Sequence, residues 1–421
     1  MKNFLKSLLK KNNLIFIAIF LLATLVRFYN FPDRVTFGPE QAISLETSAK
    51  MIKEKFSLLG IENVQRTTSQ GLKIFSGALF SYSIIPLLLI FDYRVLPISV
   101  YFSVLNIFTG LVLYFVAEKM YGKKVATFSL VLFLFNNYMV YHSLFIWILN
   151  YLPLLGVFSI YLLNQEKRKF SLLPVFWLGI LSGIGMTLEY LFLPTYLLVL
   201  ILALYFSKKR FVSFVVFFFS SLIPNLPLII FDLRHNFYNL NVLWLYFLDV
   251  LNHPGISGVS YYHFLQFWPF VILVLGLLAE KIWDKSKLLS ISLIIVYLII
   301  NIRPSLILLD RPTGMPKDLT INNIYSVAAT IKKDNPLNFN VAVINDFDTR
   351  GHILRYPLEF TYNLVSEAVE NYPNAKVLYV LAQRNYDFKK SNVWEINSGG
   401  PYKIDLLSNV GQGYSIFKLS K

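Results

Sequence analysis

Long apolar runs, separated by short clusters of Lys and Arg, constrain this chain more than any other feature. The runs cover about 14–26, 95–118, 125–141, 144–164, 171–188, 190–206, 211–231, 264–280 and 287–302. Most hold about 16–24 residues, enough or nearly enough for a helix to cross roughly 30 Å of hydrocarbon at 1.5 Å per residue. The chain is 56% hydrophobic and 15% charged, against roughly 25% charged in soluble proteins. Too few polar side chains exist to cover this much apolar surface in water. The sequence therefore predicts a polytopic α-helical membrane protein, not two or three soluble domains. A net charge of +15 would suggest nucleic acid in a soluble chain. Here the basic residues lie between apolar runs, which is how membrane topology is written, and no nucleic-acid partner is expected. Cysteine is absent, which excludes disulfides, thiolate nucleophiles and Cys-ligated zinc.

Charge also sets direction. Lys2, Lys6, Lys10 and Lys11 precede the first run, which ends in Arg27-Phe28-Tyr29-Asn30-Phe31-Pro32 and not in the small residues of a cleavage site. The run reads as a retained span with the N-terminus in the cytoplasm. Basic clusters follow at Lys119/Lys123/Lys124, Lys167/Arg168/Lys169, Lys208/Lys209/Arg210 and Lys281/Lys285/Lys287. If 74–91 does not cross, all four fall on the cytoplasmic side; if it crosses, all four fall outside. The positive-inside rule selects the first arrangement. The stretch 74–91 then reads as an amphipathic or re-entrant segment on the outer face. About nine spans result, in an integral protein of the cell membrane.

Residues 1–302 form the transmembrane unit in this reading, with 31–94 as an outer loop. Residues 303–421 form an extracytoplasmic α/β domain. Val341–Ile344, Lys376–Leu381 and Tyr414–Leu419 have strand character. Ile321–Lys333 and Tyr362–Asn371 have helical spacing.

Polar and titratable groups gather at the outer ends of the spans: Arg27, Glu40, Glu46, His142, Asn150, Glu189, Asp232, Arg234 and His235. Charges cost roughly 2.5–3.5 kcal/mol inside a membrane, so they usually have a partner or a role. Glu40, in Phe37-Gly-Pro-Glu-Gln-Ala42, could accept a proton from an attacking hydroxyl; equally it could be a first-turn acid favoured by the helix dipole. Glu46 is read as solvated or paired with Lys50. Helical spacing puts Ser143, Trp147 and Asn150 on one stripe, for a site or for interhelical hydrogen bonds. Glu189 could pair with Arg27 or Arg234. Arg234 and His235 suit a phosphate, or anchor the chain at the interface; Lys73 could play the same part. There is no Walker A loop, G-x-S-x-G or H-E-x-x-H, and five widely separated His do not suggest a metal site.

These elements, in order, resemble the membrane-embedded GT-C glycosyltransferases, most of all the protein O-mannosyltransferase and aminoarabinose transferase branch. That branch has an Arg near the outer end of the first span and an Asp-Glu-Ala element in the first outer loop; Arg27 and Glu40-Gln41-Ala42 are similar. Glu118–Lys124 resembles the branch's basic turn with Tyr-Gly. Tyr141-His142-Ser143-Leu144, with Asn150 beyond, resembles its His-Ser-Arg tip, although Leu144 replaces the Arg. Gly179–Glu189 resembles its Gly-rich span. The His-Pro-Pro element is missing, and Thr68–Gly71 stands near its place.

The resemblance implies a glycosyltransferase that moves a sugar from a polyprenyl-phosphate donor to a hydroxyl of a glycan, lipid or protein acceptor. Glu40 would be the general base, and displacement would be direct, with inversion. Arg27, Gln41, Lys73, His142, Asn150, Glu189, Asp232, Arg234 and His235 would contact substrate. No cofactor is expected, and a divalent metal is not indicated. The competing classes are a lipid or sugar transporter or flippase, and a scaffold displaying the tail. A transporter should show midplane charges and repeated halves; the charges here cluster at one face.

Overall fold

The computed structural model describes residues 11–168, 171–252, 260–306, 315–344 and 348–421. Lys2, Lys6 and Lys10 of the N-terminal cluster and Lys169 of a later one lie outside them. Among the described residues, five helices are long and apolar enough to cross a membrane: Val95–Tyr121, Ile148–Gln165, Arg210–Arg234, Tyr261–Lys285 and Lys287–Leu306. Leu14–Phe28, Leu79–Ile90, Leu172–Leu188 and Tyr190–Phe206 are shorter apolar helices. The chain is an integral membrane protein.

Segment 74–91 divides into strand β2 (Lys73–Gly77) and the helix Leu79–Ile90. Twelve residues of helix give a length of about 18 Å, short of the hydrocarbon core. Strand β1 (Leu59–Thr67) pairs with β2 in an antiparallel hairpin; the sequence reading did not foresee this pair. Run 125–141 is not one helix. It breaks between Lys123–Leu134 and Asn137–His142, where Asn136 Oδ1 accepts the amides of Tyr138 and Met139 at 3.1 and 3.3 Å. An Asn side chain that satisfies the orphan donors of a new helix start competes with helix continuation. After it, residues 143–147 are irregular and Ile148–Tyr151 is a 3₁₀ turn. The expected helical stripe of Ser143, Trp147 and Asn150 therefore does not exist.

Two glycine features shape the bundle. Gly122, at φ 95°, turns the chain between Val95–Tyr121 and Lys123–Leu134, in a region of φ that side chains disfavour. Gly179 and Gly183 let Leu172–Leu188 approach Arg210–Leu222 closely. A Cβ on Gly179 would lie 2.4 Å from Phe217 O, and one on Gly183 would lie 2.2 Å from Ser221 O. Small residues four apart are the usual means of such contact between membrane helices.

The C-terminal region holds a four-stranded sheet in the order β3-β4-β6-β5. Strands β3 (Phe339–Ile344) and β4 (Val377–Gln383) run parallel, while β6 (Tyr414–Ser420) is antiparallel to β4 and to β5 (Lys403–Val410). The sequence reading located β3, β4 and β6. Strand β5 was not expected; it is an edge strand of mixed polarity with a register shift between Leu406 and Ser408. Helix Ile321–Asp334 starts on a capping box, with Asn323 Oδ1 accepting the Thr320 amide at 2.8 Å, and buries Ile321, Ile324, Val327, Ala328 and Ile331. The helix expected at Tyr362–Asn371 is absent: a 3₁₀ turn covers Val369–Asn374. The preceding backbone is drawn to the sheet, with Glu367 N donating to Phe339 O at 2.9 Å and Arg355 Nη1 to Glu367 O at 2.7 Å.

One apolar core runs from the bundle into this region, through Phe37, Val95, Met315, Leu354, Tyr356 and Leu358. Polar contacts cross the same boundary. Tyr356 donates to Tyr93 O at 2.8 Å, and the Val95 amide donates to Tyr325 Oη at 3.2 Å.

Candidate functional site

Glu40 lies in the first turn of the helix Pro39–Lys53, where a carboxylate is favoured by the dipole. Pro39 supplies the fixed φ of a first helical position. Gln41 Oε1 accepts the Gly38 amide at 2.9 Å, which fixes the start of the helix. Its Nε2 is buried without a hydrogen-bond partner, as is Thr36 Oγ1. The strand-like residues before the helix lie on the tip that carries His142. Thr36 forms an isolated parallel bridge with Phe145, and its amide donates to Leu144 O at 3.2 Å. Two motifs about a hundred residues apart thereby meet.

His142 is 3% exposed, and neither ring nitrogen has a hydrogen-bond partner. Its ring stacks on Trp147, with centroids 5.3 Å apart and planes at 15°, and Tyr261 lies at 6.2 Å. Unpaired buried polar atoms are costly, so a buried imidazole of this kind invites a hydrogen-bonding ligand. Asn150 does not face this space with its amide nitrogen. Nδ2 donates to the carbonyls of His142 and Phe145, each at 2.8 Å, which holds the irregular turn in place.

Arg27 is elsewhere. Fully buried, it donates to Ala23 O (3.1 Å), Leu134 O (2.9 Å) and Asn106 Oδ1 (2.7 Å). Leu134 ends its helix, so its carbonyl lacks an intrahelical donor. Arg27 thus braces three helices. Arg34, which the sequence reading did not single out, donates to Val26 O and Tyr29 O at 2.8 Å each and to Ser305 O.

A second polar group forms around Tyr190. Its hydroxyl donates to Phe75 O on β2 at 2.6 Å and accepts Asn239 Nδ2 at 3.2 Å. Asp232 Oδ1 accepts the Asn239 amide at 2.8 Å. Glu189 Oε1 accepts the Leu191 amide at 3.2 Å, and its Oε2 lies 3.0 Å from His263 Nδ1. The Glu189 partner is thus His263, not the Arg27 or Arg234 that the sequence suggested. A lone His on an apolar run gave no signal of this. Asp232 points inward, whereas Arg234 and His235 are exposed. His235 stacks on Phe231 with centroids 4.1 Å apart, and its Nδ1 lies 2.8 Å from Phe231 O. Lys73 forms an exposed ion pair with Glu62 across the hairpin at 3.1 Å. The Thr68–Gly71 loop is tied to Asp249, which accepts Ser69 N at 2.7 Å and Ser69 Oγ at 2.8 Å.

The third group joins loop and tail. Lys50 Nζ and His352 Nδ1 contact the two Glu46 oxygens at 2.6 and 2.9 Å. Asp348 stands 3.9 Å from His352 Nε2 and accepts Arg350 Nε at 2.7 Å. Burial alone would raise the Glu46 carboxyl, but the hydrogen bond and charge of His352, with those of Lys50, hold it down to about 2. Glu46 is therefore paired with Lys50, as one of the two sequence expectations had it, and also with His352. No group of three His, Asp or Glu among the described residues is placed to hold a metal ion.

No family model matches the sequence, and no curated protein does. Similarity appears in the fold. ArnT from Cupriavidus metallidurans in the apo state superimposes with a TM-score of 0.60 at 10% identity, over 96% of this chain and 97% of that one. The same protein bound to undecaprenyl phosphate gives a TM-score of 0.50 at 10% identity, over 96% and 98%. Across almost its whole length, the chain shares the fold of ArnT from Cupriavidus metallidurans.

Proposed function

We propose that this chain is a glycosyltransferase that uses a polyprenyl-phosphate sugar, with Glu40 as general base. The Thr36–Phe145 bridge is the observation that carries this reading, because it brings the Phe37–Gln41 turn onto the His142 tip. In the reaction, the acceptor oxygen attacks the anomeric carbon and its proton passes to a Glu40 carboxylate oxygen. The bond from the anomeric carbon to the phosphate oxygen breaks, and its electron pair leaves on the phosphate. A single displacement inverts the anomeric centre. The chemistry needs no cofactor.

The unpaired nitrogens of His142 and Gln41 are suited to sugar or acceptor hydroxyls. Arg234 is exposed and offers a forked donor to the leaving phosphate. Lys73 can join it, since an exposed ion pair such as Lys73–Glu62 is worth about 0–1 kcal/mol and is readily exchanged. Stabilisation of the departing charge is often the largest catalytic term. Asn150 and Arg27 hold the surrounding turn and helices through their hydrogen bonds. ArnT from Cupriavidus metallidurans has been crystallised with undecaprenyl phosphate, which supports a lipid of that class as donor carrier. The acceptor is a glycan, lipid or protein at the outer face, with the N-terminus in the cytoplasm and the tail outside. Purified protein in proteoliposomes, given labelled polyprenyl-phosphate sugars, should transfer label to an acceptor and release polyprenyl phosphate. Lipid movement across the bilayer without sugar transfer would replace this reading with a flippase.

A further inference from the structure

A groove of about 570 Å³ lies beside the end of the first span, lined by Tyr29, Leu298, Ile299, Ile302, Arg303 and Leu306. The volume lies within the roughly 300–1,000 Å³ of small-molecule sites. Residues 299, 302, 303 and 306 fall at i, i+3, i+4 and i+7, one face of the helix Lys287–Leu306. The other side of that helix is pinned to the bundle. Asn301 Oδ1 accepts the Asn137 amide at 3.0 Å, and Ser305 Oγ donates to Asn137 Oδ1 at 3.1 Å. Arg34 fixes the two walls relative to each other, since it donates to both Tyr29 O and Ser305 O. Pro304 sits inside the helix at this level and removes a backbone donor. The groove is therefore built, not a gap between loosely packed helices.

The helices on either side of it present apolar side chains to the exterior: Leu21, Leu25, Ile295 and Ile300 are exposed, Tyr29 is 61% exposed and Ile299 is 61% exposed. Arg303 is also exposed and has no carboxylate partner among the described residues. An apolar trough ending in one guanidinium and one phenol matches a lipid with an anionic phosphate head. None of its residues comes from the elements that carry Glu40, His142 or Glu189.

We infer that the Tyr29–Arg303 groove binds an anionic bilayer phospholipid, with the phosphate on Arg303 and Tyr29 and one acyl chain along Leu298, Ile302 and Leu306. Arg forks onto phosphate oxygens, and the Tyr hydroxyl supplies one more donor.

The test uses the full chain, delipidated in detergent and followed by native mass spectrometry with phosphatidylglycerol, phosphatidylcholine and undecaprenyl phosphate as probes. Phosphatidylglycerol should bind at least fivefold more tightly than phosphatidylcholine, and Arg303→Gln should remove that preference. Ile302→Trp, which fills the trough, should weaken both phospholipids. Arg210→Gln, at the far end of another helix, should change neither. Equal binding of the two phospholipids to the parent protein would leave only a snorkelling Arg and an interfacial Tyr, and would overturn the inference. So would an unchanged preference in Arg303→Gln. Displacement of phosphatidylglycerol by equimolar undecaprenyl phosphate, lost in Ile302→Trp, would assign the groove to the carrier lipid instead.

Discussion

His352 of the C-terminal region places Nδ1 2.9 Å from Glu46 Oε2 on the helix Pro39–Lys53, across 306 residues of sequence. Lys50 takes the other carboxylate oxygen at 2.6 Å. The contact ties the tail to the same helix that begins with Glu40.

Acid should loosen that tie in a defined interval. The Glu46 carboxyl falls from 4.5 to about 2 on folding, so between those values the unfolded chain binds more protons than the native one. The contribution of Glu46 is complete above about pH 4.5 and is lost as pH falls through 2. At pH 5–6, Glu46→Gln should cost on the order of 1–3 kcal/mol. Thermal unfolding in detergent should show the gap between parent and variant closing from about pH 4 downward. A gap that stays constant to pH 2 would mean that the ion pair does not set stability.

Glu40→Gln keeps side-chain volume and removes only the basic oxygen. General-base catalysis contributes about 10²–10⁴-fold, so transfer should fall at least about a hundredfold while donor binding persists. Glu46→Gln, compared per folded molecule, should be much milder, because Glu46 is engaged by Lys50 and His352. Parent-like transfer in Glu40→Gln with a dead Glu46→Gln would identify the wrong carboxylate.

His142→Phe retains the ring that stacks on Trp147 and deletes both unpaired nitrogens. One ligand hydrogen bond is worth about 0.5–1.5 kcal/mol net, so KM should rise up to roughly tenfold, while the unfolding temperature of the ligand-free protein should hold or rise because two unpaired buried atoms are removed. Stability that rises while KM and kcat stay at parent values would make His142 a core residue alone.

The absence of cysteine makes topology directly testable. A single Cys placed at Lys123, beside the Gly122 turn, should resist an impermeant maleimide added outside intact cells and react after lysis. A Cys at Asn392 in the C-terminal region should react from outside. Reversal of both results would invert the orientation and remove the proposed site from the outer face.

What the sequence determined by itself are the properties that each segment carries locally. A run such as Val95–Tyr121 or Lys287–Leu306 is apolar enough to be a membrane helix whatever surrounds it. The basic clusters argued that 74–91 does not cross; the segment holds the apolar helix Leu79–Ile90 of twelve residues. Strands β3, β4 and β6 were legible because each is a short apolar run bounded by polar or charged residues, too short for a helix that crosses a membrane. Strand β5 was not, because Lys403–Val410 mixes apolar and polar residues without a regular period and its register shifts between Leu406 and Ser408. The break at Asn136 was hidden because hydropathy does not register a side chain that caps a new helix.

The site depended on tertiary structure. Glu189 finds His263 across 74 residues, and Arg34 finds Ser305 across 271. Hydrophobic periodicity says which face of a helix is buried, but not which distant polar group will share that burial. Such partners are chosen by packing, because a buried charge or amide must be satisfied by whatever donor or acceptor the fold brings within about 3 Å.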